Sequence, residues 1–306
     1  MLIKRTDLAL EAHEINAEQG KDDGVITREE TRGNLKITFA EIKEGKGEEL
    51  TKKRAGMYIT ADIGKVWQDG REDFNEKAKE LSKLLASLLP ETDDKTVLAI
   101  GLGNEDITAD ALGPKTVSRL LVTRHLKLLN PTLAESLGVG NLSAFCPGVL
   151  GQTGIESAAL IKSAVDCISP SCVIVVDALA ARRLERLATT VQLSNTGISP
   201  GSGVENKRTE ISKETLGVPV VSVGIPTVVD AATLACDLFE KCGATLGANE
   251  AVIEEELKKQ GGSLFITPKE SDSVIKETSK LLARAINLAL HKDLSPDELS
   301  EYSPSF

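Results

Sequence analysis

Three short runs, TVLAIGLG from Thr96, CVIVVDAL from Cys172 and VPVVSVGIP from Val218, are apolar on successive residues and rich in Val and Ile. A strand with one wet face alternates apolar and polar residues, so continuous apolar runs predict strands covered on both faces, as in a parallel sheet. Between them lie helical stretches. One opens at Gly113-Pro114, with proline in a first turn. A second opens at Thr153, with Glu156 placed to complete a capping box, and a third opens at Thr267-Pro268. Strand and helix in alternation predict an α/β fold: a three-layer α/β/α sandwich around a mainly parallel sheet. Leu35 to Ile42 and Met57 to Val66 alternate instead, which adds an antiparallel β segment over residues 35–66, its strands joined by a solvated loop. Arg71 to Leu89 has the one-sided apolar spacing of an amphipathic helix stopped by Pro90. Residues 1–34 read as a leader followed by a loosely structured segment.

Composition narrows the function. The chain has 306 residues with 36 Lys and Arg against 46 Asp and Glu, a net charge of −10. A polyanionic partner, nucleic acid or membrane surface, would be repelled. No apolar run is long enough to span a bilayer. Five cysteines without a CxxC pair argue for a reducing, cytosolic setting rather than a disulfide framework.

Chemistry is concentrated where apolar strands end. In GLGNEDITADALGP, residues 101–114, a strand runs into a glycine turn and then a polar loop carrying Asp106 and Asp110. In open parallel sheets such loops hold ligands and catalytic groups. A plain Gly-rich turn with a capping Asp explains the spacing equally well, and a dinucleotide site lacks its third glycine. Asp177 ends the strand CVIVVD, where a carboxylate is either solvated at the edge or held by partners. If the two strands are neighbours, Asp110 and Asp177 meet at one sheet edge. One of the pair then acquires a raised pKa and they can divide acid and base roles, as in aspartic proteases. The Gly/Pro-rich loops 146–156, 195–208 and 224–230 are candidate cleft walls, with the helix N-terminus at Thr153 offering free N–H donors. Asp230 reads as a helix cap before it reads as a site member. His13, His125 and His291 stand outside these loops, with no HExxH or nucleophile elbow to support zinc or Ser-His-Asp chemistry. Cys146 reads as a small buried thiol.

RTDLALEAHE, GLGNEDITADALGP, CPGVLGQTGIES, VDALAARRLERL, TGISPGSGVENKR, PVVSVGIPTVVDAAT and FITPKESD occur in order along the chain. Together they resemble the spore germination protease family over nearly the whole length. GLGN with its acidic loop is more distantly similar to the hydrogenase maturation endopeptidases. The first resemblance implies an endopeptidase, cytoplasmic in the forespore and spore core, that degrades small acid-soluble spore proteins. It implies two aspartates, at positions matching Asp110 and Asp177, no metal or other cofactor, and a homotetramer with residues 35–66 as a plausible interface. It also implies a self-processing zymogen. Family substrates read Thr-Glu, Phe or Ile, Ala-x-Glu, cut after the acid, and Thr6-Asp7-Leu8-Ala9-Leu10-Glu11 fits. The expected cut lies between Asp7 and Leu8, making residues 1–7 a propeptide and 8–306 a single peptidase domain. An acid before the cut predicts basic groups along the cleft, with Arg182, Arg183, Lys207 and Arg208 as candidates. The alternatives are a metal-dependent endopeptidase of the hydrogenase-maturation type and a non-catalytic binder of small spore proteins.

Overall fold

The computed structural model describes residues 5–18, 20, 23–91, 96–201, 208–241, 256, 264–294 and 298–299. The apolar runs become β4 (Thr96–Gly101), β6 (Cys172–Ala181) and β8 (Val220–Asp230). With β5 (Asn141–Phe145) they form the parallel centre of the sheet, in the order β8-β6-β4-β5. The antiparallel flank consists of β1 (Val25–Arg32), β2 (Leu35–Ile42), β3 (Gly56–Asp62) and β7 (Thr190–Ser194), with β7 joined to β8. A short β9 (Phe265–Ile266) also pairs with β8. The alternating region is thus continuous with the main sheet.

Helices cover both faces. On one, α3 (Arg71–Leu88), α4 (Leu112–Val117) and the helix Ser271–Leu290 pack on Ile37, Ile59, Ala99, Ile174, Val223 and their neighbours. On the other, Ile161 and Val165 of the helix Ser157–Ile168 meet Leu98, Ile100, Val173 and Val175. The same face carries α1 (Ala9–Ala17), whose Ala9 packs with Ala40, Ile42 and Tyr58. The core is aliphatic, as a chain with 3% aromatic residues requires.

Several local expectations are corrected. Residues 1–34 are not loosely structured over their described part, because they supply α1 and β1. The segment joining the alternating strands contains the helix α2 (Lys46–Thr51). No helix starts at Thr153: that residue ends the short turn Leu150–Thr153, which Gly154 closes at φ 71°. Glycine takes this left-handed conformation without the steric penalty of a Cβ. The long helix then begins at Ser157, with no side-chain cap from Glu156. The last helix begins at Ser271 rather than at Pro268, whose carbonyl accepts the Ser271 hydroxyl in a preceding turn.

Candidate active site

At the carboxyl end of β4 the chain makes a tight excursion before entering α4. Gly103 adopts φ +113°, and a Cβ there would lie 2.0 Å from the Asp110 carbonyl oxygen. A Cβ on Gly113 would meet the carbonyl oxygens of Leu102 at 2.2 Å and Val176 at 2.6 Å. These two glycines let the loop lie flat on the ends of β4 and β6, bringing Asp110 to Asp177. Asp110 ends a single 3₁₀ turn, Thr108–Asp110, and its Oδ2 accepts the Asn104 N–H at 2.8 Å. Thr227 ties the same turn to β8 by donating to the Ala109 carbonyl at 2.6 Å.

Asp177 is buried, with its Oδ1 accepting the Ala178 N–H at 2.9 Å. It shares with Asp110 a cavity of about 390 Å³, lined also by Asp7, Leu179, Arg208 and Thr227. Burial holds the Asp177 carboxyl well above the usual carboxylate range, and the charges of Asp110 and Asp7 push it further. The Ala178 N–H and Arg208 oppose that rise without cancelling it. Asp110 is raised too, by burial, against the Asn104 N–H and Arg208. Two carboxyls so coupled titrate as a pair.

The N-terminal segment lies across this edge. Asp7 donates its N–H to the Ala180 carbonyl at 2.8 Å, and its Oδ2 accepts the Ala180 N–H at 2.8 Å. β4 pairs with β6 only as far as Val176, which leaves the backbone of Ala180 open to a partner on that side. Leu8 is fully buried among Leu179, Ala181 and Val229. Glu11, also fully buried, accepts the N–H groups of Arg182 at 2.7 Å and Arg183 at 3.1 Å and the Thr6 hydroxyl.

The basic candidates separate. Arg208 lines the cavity and acts electrostatically on both aspartates. Arg182 is buried against Glu18 and Asp237, and Arg183 pairs with Glu14 and Glu18, so both side chains hold α1 rather than face the cavity. Lys207 lies outside the described residues. Asp230 caps the helix Ala231–Lys241, accepting the Thr233 N–H at 2.8 Å and hydroxyl at 2.9 Å, and it also pairs with Arg5 at 3.2 Å. Asp106 is turned away toward Gln152. Cys146 is not a buried thiol. It stands exposed, and partial burial of its sulfur together with the nearby charge of Glu105 pushes its pKa up to about 11. His291 is buried far from the cavity, its Nδ1 accepting the Gly140 N–H at 3.0 Å. Among the described residues no three His, Cys, Asp or Glu side chains form a group that could hold a metal ion.

Two polar residues beside the N-terminal segment escape the sequence analysis. Lys53 donates to the Thr6 carbonyl at 3.4 Å, with burial lowering its pKa against the charges of Asp7 and Glu11. Gln192 reaches the Asp7 carbonyl and the Ala9 N–H. Lys53 falls in a stretch that reads as a solvated loop and Gln192 in a five-residue strand with no distinguishing pattern, so neither position announces itself.

Fold and cavity define an α/β/α protein with a pair of coupled acids at the carboxyl edge of its parallel strands. The family model described as germination protease matches residues 3–249. A germination protease of Caldanaerobacter subterraneus subsp. tengcongensis is 44% identical over 316 residues, covering 97% of each chain. One from Bacillus subtilis is 37% identical over 358 residues, covering 98% of this chain and 96% of its own. A [NiFe] hydrogenase maturation protease from Thermococcus kodakarensis aligns with 66% of this chain and 98% of its own, at 16% identity and a TM-score of 0.34, too loose a likeness to compare sites. The chain belongs to the germination protease family and is a peptidase. No helix among its described residues is long and apolar enough to cross a membrane.

Proposed function

We propose that the protein is an endopeptidase whose water is activated by Asp110 and Asp177, and that it cuts its own chain between Asp7 and Leu8. The observation that carries this reading is the cavity that holds both carboxyls together with Asp7. Asp110 is the base: each carboxyl accepts one backbone N–H, but Asp110 is less buried than Asp177, which favours its charged form. Asp177, the more strongly raised of the two, is the acid. Asp110 takes a proton from water as the oxygen adds to the carbonyl carbon, while Asp177 gives its proton to the carbonyl oxygen. When the tetrahedral intermediate collapses, the C–N bond breaks and the leaving nitrogen takes up a proton from the pair. Arg208 keeps one negative charge tolerable in the cavity and attracts acidic chains.

The substrates, on this reading, are small acid-soluble spore proteins with an acid before the cut, met in the spore core by a homotetramer. The sequence blocks that resemble the spore germination proteases support that assignment, and self-processing makes the protein a zymogen. Turnover of a small acid-soluble spore protein by Asp110→Asn and Asp177→Asn tests the pair. Each change should lower the rate by about 10²-fold or more, the range expected when a positioned acid or base is lost. A double variant that retains near-normal turnover would remove the mechanism.

A further inference from the structure

Register across the sheet sets up one more participant. Asp177 in β6 is paired with Gly224 in β8, and Gly224 is paired with Gln192 in β7. Residues paired in this way share a face, so Asp177 and Gln192 project from the same side, their backbones two strand spacings or about 10 Å apart. That face also carries Leu179, two residues beyond Asp177, and Leu179 fills the space that a side chain at position 224 would need. The peptide joining Asp7 to Leu8 crosses here, with the Leu8 side chain seated on Leu179.

Gln192 holds the chain on both sides of Leu8, while the Leu8 N–H itself donates to the Thr6 hydroxyl at 3.0 Å. The Gln192 Nε2 donates to the Asp7 carbonyl oxygen at 3.3 Å, and its Oε1 accepts the Ala9 N–H at 2.7 Å. The side chain is 7% exposed, so the two bonds are made out of competition with bulk water. The neighbours in sequence, Val191 and Leu193, point into the opposite core and fix the strand. We infer that Gln192 is a substrate-clamping residue, and that its Nε2 donates to the scissile carbonyl oxygen as negative charge develops there. The inference rests on the reading that Asp7–Leu8 is the bond cut. In the step itself, Asp110 takes a proton from the water as the water oxygen bonds to the Asp7 carbonyl carbon, and the C=O electron pair moves onto oxygen. That oxygen takes the Asp177 proton on one electron pair and accepts the Gln192 hydrogen bond on another. On collapse the C–N bond breaks, the nitrogen takes the proton held by Asp110 and the hydroxyl proton returns to Asp177, which releases Leu8 as an amine and Asp7 as a carboxylic acid. An amide is suited to the task because one planar group offers a donor and an acceptor, and a donor placed on a developing oxyanion acts on the transition state.

The test uses the full chain and its own N-terminus. Self-processing is timed by intact mass for the wild type, Gln192→Met, Gln192→Glu, Ala9→Pro and the Gln192→Met/Ala9→Pro pair, with thermal unfolding beside it. Proline removes the N–H that Oε1 accepts, and the backbone suits it: Ala9 is the first residue of α1, and Leu8 before it is extended at φ −78°, ψ 123°. Both Gln192 variants should slow cleavage at Asp7–Leu8 by about 10²-fold, the loss typical of one oxyanion donor. Ala9→Pro should slow the wild type yet add little in the Gln192→Met background, since both remove the same contact; a merely structural role would show that coupling in thermal unfolding and leave the cleavage rate of the folded chain unchanged. Wild-type cleavage rates in folded Gln192→Met, or fully multiplicative effects of the two changes, would overturn the inference and leave the aspartate pair standing. If Gln192→Met does not fold, Gln192→Glu, which keeps the acceptor and loses the donor, decides, an unchanged cleavage rate overturning the inference. A wild-type chain that never loses residues 1–7 overturns both this inference and the reading beneath it.

Discussion

Asp177 lies inside β6, which runs on to Ala181, and not at the strand's end; its burial bears on stability as well as on chemistry. Its carboxyl is raised in the folded chain and titrates from its ordinary range, about 3.8, once unfolded. Between those two pKa values the folded state binds more protons than the unfolded one, so this residue makes stability fall as pH rises. Asp177→Asn removes that burden. The variant should unfold at a higher temperature than the wild type at pH 7, and the gain should shrink as pH falls toward about 4. Thermal melts from pH 4 to 8 measure it, and equal midpoints across the range would mean that Asp177 is ionised at no cost. That an acid interrupts this strand is legible in the sequence, because it follows five apolar residues, but not that pairing with β8 carries the strand on past it to Ala181. Lys53 and Gln192 are illegible for the opposite reason. Each lies in a stretch without periodicity, and only the path of residues 5–11 across the sheet makes them neighbours of the site.

At the scale of the element, the loop from β4 to α4 depends on two glycines where a side chain would strike backbone. Gly113→Ala would place a Cβ within 2.2 Å of the Leu102 carbonyl oxygen, and backbone cannot yield as a flexible side chain can. The expected cost is about 2–3 kcal/mol, at the upper end of ordinary single substitutions. Turnover should fall as well, because Asp110 hangs from that loop; chemical denaturation and a rate measurement check the two effects separately. Elements differ in how plainly the sequence marks them. β4, β6 and β8 are buried on both faces and read as apolar runs, and α3 shows its stripe. β1 is hidden because its sequence, VITREETR, is largely charged and its strand stands at the exposed edge of the sheet. β5 and β7 have five residues each, too few to establish a period. α2 is hidden in a Gly/Lys/Glu-rich stretch whose helix is a little over one turn long.

For the whole molecule, the two ends of the sheet respond oppositely to acid. His291 follows the helix Ser271–Leu290 and joins it to the loops before β5, accepting the Gly140 N–H while its other ring nitrogen meets the Leu121 carbonyl at 3.0 Å. Burial lowers its pKa to about 4 from 6.5. The unfolded chain therefore binds a proton that the folded chain refuses, and His291 costs stability as pH falls from about 6.5 to about 4. His291→Gln should flatten the loss of stability over that window in equilibrium unfolding; an unchanged slope would mean that the imidazole is already charged in the fold. The layered architecture follows from the apolar runs, whereas the docking of residues 5–18 over the acidic cavity needs long-range pairing that no local pattern encodes. The central claim is that Asp110 and Asp177 together cut the chain after Asp7. The most direct measurement is the intact mass of the purified protein before and after incubation from mildly acidic to neutral pH, for the wild type, Asp110→Asn and Asp177→Asn. The account predicts loss of residues 1–7 in the wild type alone; the same loss in either variant, or cleavage at another bond while Asp7–Leu8 stays whole, would contradict it.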